Sequence, residues 1–280
     1  MDFFRVKGGR LHQYGFNCNG SLVHVSGPAP KPVDEHIEWL SKLRAVTPTD
    51  ALTCTWEHKG VKMDLMLLSI KDTVQRVLIA DAPGWRIATG PEMKKPPIQQ
   101  ILAENRARTP EGEAVSQYAA LMVPYKSARS PVLSARLLEN DYTSRAMAVE
   151  VKLEGRTDYL ISSRDQSSRQ YGRVTVSGQF AFVSLDAQGR AVGAYLLGGT
   201  SLKCGDLQIT YPRPNTPLKV RSVQGRTFHL AEPLPAGIGQ AGAYLLTGGT
   251  GYEIQSTTKD SITVRDYPAI PSEQVMVENP

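Results

Sequence analysis

Phe180-Ala-Phe-Val-Ser-Leu185 and Ala191-Val-Gly-Ala-Tyr-Leu-Leu197 stand on either side of Asp186-Ala-Gln-Gly189-Arg190. Side chains along a strand alternate between two faces. Two apolar-rich runs closed by a turn with a glycine at a left-handed position therefore predict a β-hairpin. The same grammar recurs toward the C-terminus. Leu218-Lys-Val-Arg-Ser-Val223 and Arg226-Thr-Phe-His-Leu230 flank Gln224-Gly225, and Tyr252-Glu-Ile-Gln-Ser256 and Ser261-Ile-Thr-Val-Arg265 flank residues 257–260. Upstream, Met147, Val149, Val151 and Leu153 alternate with Ala148, Glu150 and Lys152 before a Glu154-Gly155 turn. Further strand-like runs cover 22–25, 52–56, 63–70, 74–80 and 118–123.

Helix is expected at two places only. Asp34 to Ala45 opens on an N-cap residue and spaces Ile37, Leu40 and Leu43 helically, and Pro97 to Arg106 does so through Ile98, Ile101 and Leu102. The expected fold is all-β, a large antiparallel β-sandwich over 1–211 followed by a small terminal β-sheet over 212–280, with at most two short helices. Two proline-rich stretches, Pro91 to Gly112 and Tyr211 to Pro217, mark internal boundaries. Ala194-Tyr-Leu-Leu-Gly-Gly-Thr200 resembles Ala243-Tyr-Leu-Leu-Thr-Gly-Gly-Thr250, which strand-then-turn chemistry explains without a true repeat.

At 280 residues the chain is long enough to bury roughly 75% of its unfolded surface, so neither metal nor disulfide is required to hold it together. Hydrophobic residues at 41% and charged residues at 21% exclude a disordered or coiled-coil protein. No run approaches the roughly 18 apolar residues of a membrane span. Met1-Asp2-Phe3-Phe4-Arg5 reads as strand rather than as a leader, and the expectation is a piece of something longer. The net charge of +5 is spread thinly, mostly over the first 140 residues, without a Lys/Arg run or a nucleic-acid motif. It favours anionic partners in general, with neither nucleic acid nor membrane expected.

Cys18, Cys54 and Cys204 are too few and too far apart for CxxC chemistry, and buried free thiols are expected over a Cys18–Cys54 bridge. None of the five histidines sits in a zinc motif, and Asp34-Glu35-His36 is explained by its place at a helix start. There is no G-x-S-x-G elbow and no phosphate loop. No catalytic residue, metal ligand or cofactor is assigned. The one segment different in kind is Phe3-Phe4-Arg5-Val6-Lys7-Gly8-Gly9-Arg10-Leu11-His12-Gln13-Tyr14, which packs three cations, an imidazole and a phenol around a Gly-Gly turn. Read as strand-turn-strand, it projects Arg5 and Lys7 from one face and pairs His12 with Tyr14 beyond the turn. Cations that fix a carboxylate or sulfate, beside a ring that stacks on sugar, suit an acidic glycan. The candidate substrate-binding residues are therefore Arg5, Lys7, Arg10, His12 and Tyr14. A hairpin in which His12 and Tyr14 are half-buried and satisfied locally is the alternative.

This segment, Phe4-Arg5-Val6-Lys7-Gly8-Gly9-x-x-His12-x-Tyr14, resembles the FRVxGGxxHxY strand pair of bacterial heparinase II/III-like polysaccharide lyases, in their C-terminal β-sandwich region. Similar stretches follow at Thr55-Trp56 through Leu68, Tyr118 to Tyr125, Glu150 to Tyr159 and Val174 through Leu202. Many relatives continue with His-Gly where this chain has Asn19-Gly20. The resemblance implies an N-terminal helical toroid upstream, with the catalytic Asn, His and Tyr and the zinc ligands lying mainly before Met1, and a periplasmic or secreted full-length protein. It implies a non-catalytic sandwich that binds acidic polysaccharide weakly. A complete lyase acting by β-elimination, or a structural β-protein unrelated to glycans, are the alternatives.

Overall fold

The computed structural model describes residues 1–68, 73–83, 97–239, 242–247, 249–268 and 274–278. The fold is all-β, and every strand pairing described is antiparallel. The first strands are β1 (Asp2–Lys7), β2 (Leu11–Asn17), β3 (Ser21–Val25), β4 (Lys31–Pro32), β5 (Ser41–Val46), β6 (Leu52–His58), β7 (Val61–Leu67), β8 (Arg76–Ala82), β9 (Ile98–Arg106) and β10 (Val115–Tyr125). They form two five-stranded sheets, ordered β1-β10-β7-β6-β3 and β2-β9-β8-β5-β4.

Alternation of side chains explains why these two sheets pack face to face. Leu52, Cys54, Trp56, Leu65, Leu67, Tyr118 and Ala120 of the first sheet meet Tyr14, Val46, Val77, Ile79, Ile101 and Ala103 of the second in one buried cluster. Trp56 is 1% exposed and donates its indole N–H to Gln99 O at 3.2 Å. At roughly 25 cal/mol per Å² of apolar surface removed from water, this shared core is the main stabilising term of the sandwich.

Neither expected helix forms. Residues 33–40 are irregular with a turn at Glu38-Trp39, and Ser41–Val46 is β5. Ile37 and Leu40 are spaced as on a helix because they lie over the outer face of the second sheet, against Leu43, Leu78, Ala80 and Leu102. Residues 98–106 are β9, an interior strand bonded to β2 on one side and β8 on the other. Ile101 and Ala103 face the sandwich core while Leu102 faces the outer cluster. A strand covered on both faces has no polar alternation, so its apolar residues fit a helical template equally well.

The chain divides into two compact units, Met1–Glu154 and Gly155–Pro280. The first also holds the antiparallel pair β11 (Val132–Glu139) and β12 (Ala146–Leu153). The second unit begins with β13 (Arg156–Ser163), β14 (Arg169–Tyr171), β15 (Val174–Asp186), β16 (Ala191–Cys204) and β17 (Leu207–Thr210). The β15–β16 hairpin is the one read first from sequence, with Phe182 opposite Tyr195. The Tyr211–Pro217 stretch then leads into β18 (Asn215–Gln224), β19 (Thr227–Leu230), β20 (Tyr244–Thr247), β21 (Thr250–Thr257), β22 (Ser261–Val264) and β23 (Gln274–Glu278), which close into a barrel. Phe228, Leu245, Ile254 and Ile262 fill it.

Candidate functional site

Gly8 and Gly9 do not turn a hairpin. β1 pairs with β10 in one sheet, whereas β2 pairs with β9 in the other. The Gly-Gly step therefore carries the chain over the edge of the sandwich from sheet to sheet. Both glycines have positive φ, 100° and 68°, a region that side chains with a Cβ rarely adopt. Backbone bonds pin the crossing to the start of β10: Gly8 N donates to Ala114 O at 3.1 Å, and Ala114 N to Gly9 O at 2.9 Å.

This crossing separates the five residues singled out from sequence. His12 and Tyr14 share a face, as period two requires, but it is the inner one: they are 7% and 9% exposed. His12 Nε2 lies against Gly8 O, which can only accept, so this nitrogen carries a proton. His12 Nδ1 meets Ser116 Oγ at 2.8 Å, and that hydroxyl accepts from Asn105 Nδ2 at 2.8 Å, leaving its own proton for Nδ1. Tyr14 stacks on Tyr118 with ring centroids 5.4 Å apart and donates to Asp2 Oδ2 at 2.9 Å. Burial, reinforced by the Asp2 carboxylate, pushes the Tyr14 phenol well above its ordinary value. Arg10 is exposed at the crossing itself, its carbonyl accepting from Ala107 N.

Arg5 and Lys7 point the other way. They stand opposite Gln117 and Val115 on the outer face of the first sheet. There a polar cleft of about 480 Å³ is lined by Thr73, Val115, Gln117, Asn140, Asp141 and Tyr142. Arg5 Nε donates to Gln117 Oε1 at 3.0 Å, and Gln117 is 2% exposed. Three further bonds across the cleft are long. Gln117 Nε2 reaches Asn140 Oδ1 at 3.5 Å, and Asn140 Nδ2 reaches Gln117 O at 3.4 Å and Thr73 Oγ1 at 3.5 Å. Bonds at the outer limit of hydrogen-bond distance are readily exchanged for those of a hydroxyl-bearing ligand. Asp141 turns its carboxylate to its own loop, accepting from Thr143 N at 2.9 Å and Thr143 Oγ1 at 2.5 Å, and these bonds hold it below the usual carboxylate range.

Sequence reasoning found two cations beside this cleft, Arg5 and Lys7, paired in register with its Gln117 and Val115, but missed the lining residues Thr73, Gln117, Asn140 and Tyr142. They come from three separate segments with no motif, and only the β1–β10 register and the loop after β11 bring them together. Elsewhere, Glu35 accepts two bonds from Arg76, at 2.5 and 2.8 Å, which occupies a carboxylate of the Asp34-Glu35-His36 triplet. Among the described residues, no three His, Cys, Asp or Glu side chains group closely enough to hold a metal ion. The three cysteines are free thiols, and burial pushes the Cys54 thiol up to about 12.

No protein-family model matches this chain, and no curated protein matches it.

Proposed function

We propose that this chain is the β-sandwich part of a heparinase II/III-like polysaccharide lyase, one that holds acidic, uronate-containing polysaccharide without carrying out the elimination itself. The observation that carries this reading is the division of the Gly8-Gly9 element. Its cations Arg5 and Lys7 stand at a polar cleft, while its imidazole and phenol are locked inside the sandwich.

Eliminating a 4-linked uronate needs the carboxylate neutralised, a base for the C5 proton and an acid for the leaving oxygen. Arg5 and Lys7 supply the first requirement. His12 and Tyr14 do not supply the other two, because both His12 nitrogens are committed and the Tyr14 phenol is held protonated beside Asp2. Base and acid then come from the helical toroid that the resemblance places upstream in the full-length lyase.

Two measurements test this. Alginate and heparin are titrated against the chain at low and high salt. Arg5 is half-buried and Lys7 exposed, and charges near the surface act over about 8 Å at physiological ionic strength, so affinity is expected to fall with salt and to be lost in the Arg5→Ala/Lys7→Ala variant. The same mixtures are followed by ultraviolet absorbance of the unsaturated uronate product. Sustained turnover that disappears in His12→Ala would overturn the non-catalytic assignment, and salt-independent binding would place the polysaccharide elsewhere.

A further inference from the structure

The second unit contains a cleft of different chemistry. One wall is the β15–β16 hairpin, where Phe180 stands opposite Leu197 and Phe182 opposite Tyr195. The Phe180 and Tyr195 rings meet edge-on at 6.3 Å. The other wall is the β20–β21 edge of the barrel, where Tyr244 stands opposite Glu253 and Leu246 opposite Gly251. These ladders line an open cleft of about 760 Å³, within the roughly 300–1,000 Å³ of small-molecule sites. Phe180, Phe182, Tyr195 and Tyr244 are all half-buried, so apolar ring surface stays in contact with water. Covering such surface is favourable by roughly 25 cal/mol per Å².

The barrel wall contributes two polar groups, Glu253 and Tyr244. Glu253 Oε2 accepts from Arg265 Nη1 at 2.8 Å. Its Oε1 and the Tyr244 hydroxyl make no hydrogen bond among the described residues. Gly251 keeps the floor open, because a Cβ there would lie 3.3 Å from Leu246 Cδ2 and 3.4 Å from Tyr244 Cδ1. The cleft thus offers the rings of Phe180, Phe182 and Tyr195 on one side and, on the other, a carboxylate oxygen and the Tyr244 phenol.

We propose that this cleft binds an uncharged pyranose unit of a glycan. A pyranose has an apolar C–H face and a rim of hydroxyl donors. The face covers Phe182 and Tyr195, and the hydroxyls reach Glu253 Oε1 and Tyr244 Oη. An acyl chain or apolar peptide would bury the Glu253 carboxylate oxygen without a donor, which is costly. A uronate would bring a second carboxylate to the cleft's one anionic group. The site is therefore distinct in ligand chemistry from the cation-bearing cleft of the first unit, and its argument does not use Arg5 or Lys7.

Cellopentaose and maltopentaose are titrated separately against the whole chain, with aromatic proton shifts followed by nuclear magnetic resonance. At least one neutral oligosaccharide is expected to bind in the millimolar range. Tyr195→Ala should weaken it about tenfold, as loss of a stacked ring does. Tyr244→Phe and Glu253→Gln, which keep the packing, should each weaken it severalfold with an unchanged melting temperature. The proposal is overturned if neither sugar binds wild-type protein. It is also overturned if Tyr244→Phe and Glu253→Gln, both folded, bind as wild type does, or if decanoate moves the same ring signals while both sugars leave them unmoved.

Discussion

Tyr14 Oη and Asp2 Oδ2 lie 2.9 Å apart and join the two sheets of the sandwich, since Tyr14 belongs to β2 and Asp2 to β1. The bond closes the same edge that Gly8-Gly9 crosses, and the Tyr14 ring continues the contact by stacking on Tyr118. Tyr14→Phe keeps the ring and removes the bond, so it is expected to cost about 1.5 kcal/mol, the worth of one hydrogen bond to a charged acceptor. Tyr14→Ala removes the ring as well and should cost about 3–5 kcal/mol. Urea denaturation of the two variants separates the bond from the packing. A Tyr14→Phe variant as stable as wild type would show that the hydroxyl contributes nothing, and equal losses in the two variants that the ring packing does not.

The phenols also set an alkaline limit. Burial raises Tyr14 and Tyr118, and burial with the nearby Asp64 carboxylate pushes Tyr125 up to about 12. Each is neutral when protonated, and the unfolded chain ionises first, near pH 10. Their contribution is therefore fully present below about pH 10 and lost as pH rises toward the folded values. Denaturation midpoints should hold from about pH 8 to 9 and fall above about pH 10, with a shallower fall in Tyr14→Phe. A flat profile to about pH 11 would contradict the burial of these rings.

Strands such as Val174–Asp186 and Ala191–Cys204 were legible because one local signal, alternation closed by a glycine turn, specifies both pairing and register. Ile98–Arg106 was not, because an interior strand between β2 and β8 carries apolar residues on both faces. The candidate site was legible by halves. Arg5 and Lys7, two apart on one strand, do share an outer face. That His12 and Tyr14 lie inside depends on β2 joining the opposite sheet, a long-range choice that no local pattern encodes. Gln117 and Asn140 carry no local signal at all.

Asn19-Gly20, where the resemblance leads one to expect His-Gly, has a backbone reason for its second residue. Gly20 has φ 144°, and a Cβ there would lie 2.6 Å from Glu57 O on β6. Backbone on a paired strand cannot yield as a flexible side chain does. Gly20→Ala is therefore expected to destabilise the fold by about 2 kcal/mol or more, through strain plus the steric shift. Asn19→Ala, one residue away, should be within about 0.5 kcal/mol of wild type as a surface change. Matched thermal melts of the two variants make the check, and similar melting temperatures would refute it.

The outer face of the second sheet holds one carboxylate that cannot stand alone. Glu104 is 2% exposed and accepts from Arg76 Nε at 2.6 Å and Gln13 Nε2 at 2.7 Å, while Arg76 spans outward to exposed Glu35. Two ion pairs on one guanidinium thus differ sharply in burial. Removing an exposed partner costs little, because water and salt already screen it, so Glu35→Gln should cost about 0.5 kcal/mol or less. Removing Arg76 leaves the buried Glu104 carboxylate with Gln13 and only a long 3.5 Å contact from the exposed Arg106 Nη2, and Arg76→Ala should cost about 3 kcal/mol. The penalty belongs to the stranded carboxylate rather than to a lost attraction. Taking out both charges with apolar residues of similar size, Arg76→Met with Glu104→Leu, should therefore recover most of it. Urea denaturation of the three variants orders them. A double variant no more stable than Arg76→Ala would mean that the pair itself, and not desolvation, sets the stability of this face.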